Sequence, residues 1–145
     1  MQPGESSTAP ARRFVLDSFA LVAYFEAETG AGRVGELLKQ AAAGDCYLYM
    51  SMVNLGEILY ITERERGLPK AQELLARVNE LPIEIIDTDL VHAMAAAHLK
   101  ANNHIAYVDC FGAALAQLKN STLLTGDPEF SHISPNSGIS IEWLK

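Results

Sequence analysis

"AYVDCFGAALAQLKNSTLLTGDPEF", residues 106–130, holds two structural elements and three acids, Asp109, Asp127 and Glu129. Val108, Phe111, Ala114 and Leu115 recur at the spacing of one helix face, which predicts a helix over about 107–119. The next apolar run, TLLT (122–125), is too short for a helix and reads as a strand. Asp109 falls in the helix's first turn, among residues that favour burial, and an isolated ionised carboxylate there is costly unless something pairs with it. Asp127 follows the strand by two residues.

The same alternation extends in both directions. RFVLD (13–17) reads as a short strand ending in Asp17. SFALVAYFEAETG (18–30) and AGRVGELLKQAAAG (31–44) read as helices closed by Gly30 and Gly44. CYLYM (46–50) is a second strand, after which Ser51 is placed to cap a helix reaching about Arg66. PKAQELLARVNEL (69–81) begins with Pro69 in a first-turn position. IEII (83–86) is a third strand, Thr88 or Asp87 is expected to cap a helix through LVHAMAAAHLKAN (90–102), and SIEWL (140–144) is a last strand. These short strands are apolar rather than alternating, the mark of a parallel sheet covered on both faces, an α/β sandwich. Residues 1–12 begin with the Pro-, Gly- and Ser-rich MQPGESSTAPA and are expected to be a disordered lead-in, leaving 13–145 as a single domain.

A chain of 145 residues with 49% apolar and 20% charged residues fits one globular core. Its apolar runs fall short of the ~20 residues that span a bilayer, so no membrane association is expected. Cys46 and Cys110 have no zinc or disulfide spacing and read as buried free thiols in a reducing cytoplasm. The net charge of −7 argues against broad, non-specific affinity for nucleic acid.

Parallel topology brings every strand's carboxyl end to one edge, where ligands bind. Asp17 ends strand one, Asp127 follows strand four, Glu57 lies two turns into the helix leaving strand two, and Asp109 opens the helix that leads into strand four. Each has an ordinary reading: Asp17 as an N-cap, Asp109 as a first-turn acid facing the helix dipole, Asp127 as a turn former, Glu57 as part of a solvated stripe. Together they converge on one cleft. Crowded carboxylates must take up protons or find cations, and a hard divalent ion such as magnesium or manganese takes oxygen ligands.

The segments FVLDSFALVAYF, SMVNLGEILY, YVDCFGAALA and LLTGDPEF resemble, in order, the four acidic motifs of PIN domains, specifically the VapC-type toxins, across residues 13–144. The resemblance implies a three-layer α/β/α sandwich with a mainly parallel central sheet. It further implies an endoribonuclease dependent on Mg2+ or Mn2+, a VapB-type antitoxin partner, and often a homodimer. Asp17, Glu57, Asp109 and Asp127 would be the acidic metal cluster, Asp17 and Asp109 the more direct ligands. Thr125 would orient water or an acid. Two departures stand out: Phe19 occupies a position where such proteins often carry a small polar residue, with Ser18 beside Asp17, and Pro128 and Glu129 replace an often basic position.

His92, His98, His104 and His132 lack metal-ligand spacing and read as surface or core residues, His132 alone lying near the cleft in sequence. Asp87 and Asp89 read as capping residues, with Asp87 also a candidate for the site's rim. Glu26 and Glu28 read as a solvated helix end. Arg64, Arg66, Lys70 and Arg77 are candidate phosphate contacts, against the alternative of a solvated charged face. FALVAYF and LGEILYI carry more apolar surface than one stripe needs, which suggests a dimer mate or an antitoxin helix. Two other functions stay open: a catalytically silent binding module acting through protein partners, and a dehalogenase-type phosphatase, whose chemistry wants a second Asp at the position of Phe19.

Overall fold

The computed structural model describes residues 12–145. Five short strands, β1 (Arg12–Leu16), β2 (Cys46–Ser51), β3 (Glu84–Ile86), β4 (Thr122–Thr125) and β5 (Ser140–Trp143), form one sheet in the order β3-β2-β1-β4-β5. Every neighbouring pair is parallel, with Phe14 aligned on both Leu48 and Thr122. The chain moves outward from β1 to β2 and β3, then returns to the other side of β1 for β4 and β5. The crevice at the carboxyl ends of β1 and β4 is therefore the topological switch point.

Six helices cover the two faces: α1 (Ser18–Phe25), α2 (Ala31–Ala42), α3 (Met52–Arg66), α4 (Leu68–Asn79), α5 (Leu90–Asn102) and α6 (Tyr107–Leu118). Successive strand residues point to opposite faces, so the sheet feeds two cores. Leu16, Leu48, Met50 and Leu124 pack with Leu21, Leu37, Ile58 and Val78 from α1–α4. Val15, Tyr49 and Leu123 pack on the other face with Leu99 and Leu115 from α5 and α6 and with Phe130. The architecture is the three-layer α/β/α sandwich that the apolar strands imply. Among the described residues no helix is long and apolar enough to cross a membrane.

Several boundaries differ from the sequence reading. β1 stops at Leu16, and Asp17 is the N-cap of α1 rather than the strand's last residue. α1 ends at Phe25, and Ala27 then takes a left-handed conformation at φ 54°. Gly30, expected to close that helix, instead precedes α2 at φ 99°, where a Cβ would lie 2.9 Å from Leu144 Cβ. Asp89, not Thr88 or Asp87, caps α5 by accepting from His92 N. Ser51 caps α3 as expected, accepting from Val53 N. The expected lead-in lies outside the described residues except for Arg12, which opens β1 opposite Cys46.

Candidate active site

Asp17 sits where β1 meets α1 and is almost fully buried. Its Oδ1 accepts from Ala20 N at 2.9 Å and its Oδ2 from the Thr125 hydroxyl at 2.5 Å. Thr125 ends β4, the neighbouring strand, and its Oγ1 in turn accepts from Asp127 N at 3.0 Å. One hydroxyl thus locks two acid-bearing turns together. Asp127 also caps the short 3-10 turn begun by Pro128, accepting from Glu129 N at 2.9 Å. The N-cap reading of Asp17 and the turn-forming reading of Asp127 both hold, yet each carboxylate also lines the crevice. Burial pushes the Asp17 carboxyl up to about 7; the hydrogen bonds from Thr125 and Ala20 oppose that rise, and the Asp127 charge adds to it.

Asp109 lies in the first turn of α6, which runs against the strands and so begins at their carboxyl edge. Its carboxyl is also raised to about 7, first by burial, then by the charges of Asp127, Glu57, Glu129 and Asp17. Two acids at one edge are thus pushed toward neutrality, by burial first and by neighbouring carboxylates second. Glu57 reaches the same place from α3. The Ser18 hydroxyl lies 2.7 Å from Glu57 Oε1 and 3.1 Å from the Asn54 carbonyl oxygen, sharing its proton between them. Ser18, whose place beside Asp17 marked a departure, therefore positions a carboxylate.

Asn54 holds the acid-bearing helices in register. It is fully buried on α3, and its Nδ2 donates to the Val108 carbonyl at 3.1 Å, next to Asp109. Its Oδ1 is buried without a hydrogen-bond partner among the described residues. α6 approaches this oxygen closely because residue 112 is glycine: a Cβ there would stand 2.9 Å from Asn54 Oδ1 and 3.7 Å from Asp17 Cβ.

Asp17, Glu57, Asp109 and Asp127 all line one cleft of ≈ 640 Å³, joined by Glu129. Glu129 Oε1 also accepts from Ala106 N at 3.3 Å, tying the 3-10 turn to the start of α6. Thr125 is buried behind the acids. The outer walls carry Phe19, Val22, Phe25, Ile58 and Ile61, with Arg66, Lys70 and Arg77 among them. These bases already have partners: Arg66 pairs with Glu26 at 3.2 Å, Lys70 with Glu73 at 3.5 Å, and Arg77 lies 4.5 Å from the Phe25 ring centroid. Arg64 instead stacks on Tyr60 away from the cleft lining, which also excludes Asp87 and all four histidines. Cys46 and Cys110 are buried and free.

Sequence reasoning passed over Asn54 and treated Glu129 only as an added acid. The signals were faint: a polar Asn three residues before Glu57, and a carboxylate two residues past Asp127. Among the described residues no three His, Cys, Asp or Glu side chains form a ready-made cage for one ion. The donor set is nonetheless all oxygen: Asp17, Glu57, Asp109, Asp127 and Glu129 line one cleft and the other four act on Asp109, so the residues present fit a hard divalent cation.

The PIN domain family model matches residues 14–135, most of the chain and all of the acid-bearing segments. The chain belongs to the PIN domain family. This PIN domain superposes with TM-score 0.70 on a chain of VapBC2 from Rickettsia felis bound to a DNA fragment from their promoter, at 22% identity over 92% of this chain and 99% of that one. DNA-bound VapBC from Salmonella typhimurium gives TM-score 0.70 at 19% identity, covering 90% of this chain and 97% of that one. Mycobacterium tuberculosis VapC20, a sarcin–ricin loop cleaving toxin, gives 0.62 at 19% identity, covering 81% of this chain and 92% of that one. These likenesses concern the fold. Among curated proteins, none matches the chain.

Proposed function

We propose that this PIN domain is a metal-dependent endoribonuclease and the toxin of a VapBC-type toxin–antitoxin pair. One observation carries the reading: Asp17, Glu57, Asp109 and Asp127, from four separate segments, line one cleft at the switch point, with two of them raised to about 7. A partly buried acid cluster of this kind suits a site completed by Mg2+ or Mn2+. Asp17 and Asp109 would hold the ion most directly, with Glu57 and Asp127 ligating or acting through water. When bound, such an ion polarises a phosphate and makes a water nucleophilic at neutral pH.

The chain's own residues do the positioning. Thr125 fixes the Asp17 carboxylate and the Asp127 backbone, Ser18 fixes Glu57, and Asn54 holds α3 against α6 beside Asp109. An RNA substrate is supported by the family and by the likeness to a sarcin–ricin loop cleaving toxin. A VapB-type antitoxin is supported by the VapBC complexes among the structural relatives. Exposed apolar side chains at Val22, Tyr60, Leu90 and Met94 offer surface for that partner and for a homodimer. The reading places the protein in the cytoplasm.

The test incubates purified protein with structured and unstructured RNA in magnesium, manganese or chelator, beside an Asp109→Asn variant. Cleavage that needs the metal and disappears in the variant is expected. Cleavage that survives either change, or none on any RNA, contradicts the reading, and the second outcome favours a silent binding module.

A further inference from the structure

Phe19, two residues after Asp17, is 40% exposed and lines the same cleft as Asp17, Asp109 and Asp127. It is not loosely held. Gly126 forms its bed: a Cβ at that position would stand 2.3 Å from the ring's Cε1, 2.9 Å from Cζ and 3.0 Å from Cδ1. One edge of the ring thus rests on a glycine while the rest stays open to the cleft. Both anchors adjoin the site, Phe19 two residues after Asp17 and Gly126 immediately before Asp127.

We propose that Phe19 is a stacking platform for an RNA base beside the scissile phosphodiester, and hence a substrate-positioning residue; this rests on the endoribonuclease reading. Affinity for an RNA backbone is hard to derive from charge here. The inner cleft is lined by carboxylates, and of the outer-wall bases Arg66 pairs with Glu26, Lys70 with Glu73, and Arg77 stacks on the Phe25 ring. Stacking on an aromatic ring attracts a base without needing positive charge and tolerates differences in sequence. A phosphodiester held at the acids brings its flanking base to the ring, since both ring anchors lie within two residues of an acid. A rigid ring limits the entropy lost when the base docks.

The test compares wild type, Phe19→Leu and Phe19→Trp on an oligoadenylate and on the same strand with abasic sites, in magnesium or manganese. Leucine still fills the bed on Gly126 but offers no aromatic face, and melting temperatures check that the variants fold. The expected result is a kcat/KM for oligoadenylate about 5- to 150-fold lower in Phe19→Leu, restored in Phe19→Trp, with little difference on the abasic strand. A second readout needs no cleavage: with Trp143→Phe removing the chain's single tryptophan, Phe19→Trp emission should be quenched when oligoadenylate binds. A Phe19→Leu protein that cleaves as wild type overturns the stack and leaves the ring to a protein partner. So does an equal loss on both strands, which would assign the effect to packing on Gly126. A wild type that cleaves no RNA, with Trp emission unchanged, removes the functional reading and the stack together.

Discussion

Replacing Asp109 by Asn should make the metal-free protein more stable in mild alkali. The wild-type carboxyl is held up to about 7 from its ordinary 3.8 by burial and by Asp127, Glu57, Glu129 and Asp17. The folded state therefore keeps a proton that the unfolded chain has already released, so folding stability falls as pH rises through this window and is lowest above about 7. At about 1.4 kcal/mol per pH unit, the ceiling on that loss is about 4 kcal/mol. Asp109 is only partly buried and its neighbours share the protons, which reduces the expected effect to about 1–2 kcal/mol, or roughly 3–8 °C in Tm. Asparagine has nearly the same shape and does not titrate. In chelator at about pH 8 the variant should melt higher, and the gap should close toward about pH 3, where the carboxyl is protonated in folded and unfolded chains alike. Magnesium should reverse the order, because an ion at a hundred times its Kd adds about 2.7 kcal/mol to the wild type. Thermal unfolding followed by circular dichroism, with chelator or magnesium, measures all of this. A variant no more stable than wild type in chelator at alkaline pH would refute the argument that burial and neighbouring charge hold this carboxyl up.

Thr125→Val keeps the side chain's shape but leaves buried Asp17 and Asp127 N without the shared hydroxyl; unfolding should be easier by about 1–3 kcal/mol, and RNA cleavage should fall with it. Gly112→Ala puts a methyl 2.9 Å from Asn54 Oδ1 and should cost about 1–3 kcal/mol of stability together with activity, as seen in denaturant melts and RNA cleavage assays. Gly56→Ala, in α3 with nothing within 4 Å of the new methyl, should instead stabilise by up to about 1 kcal/mol in the same denaturant melts. Phe130→Ala empties a fully buried site under α6 and should lower stability by about 3–5 kcal/mol, read from the shift in denaturant midpoint.

The fold was legible where local chemistry and packing agree. Apolar strands such as TLLT, the Ser51 cap and the α5 run 90–102 stand where the sequence places them. Junctions were harder. Three candidates, Asp87, Thr88 and Asp89, compete for one cap, and the choice depends on where β3 releases the chain. Gly30 signals a left-handed turn without saying which helix it bounds, and its contact with Leu144, 114 positions away, is invisible locally. The four acids could be placed at one edge because parallel topology alone brings them there. Asn54 could not, since its role exists only once α6, thinned by Gly112, lies against α3. Glu129 joins the cleft through a 3-10 turn whose direction Asp127 sets by capping it.

Calorimetric titration of the purified, chelator-stripped protein with manganese asks the decisive question. Wild type should bind saturably, with Asp109→Asn and Asp17→Asn each losing most of the affinity while remaining folded. Wild type that takes up no manganese, or variants that bind it equally well, would mean that these side chains do not act together on a cation.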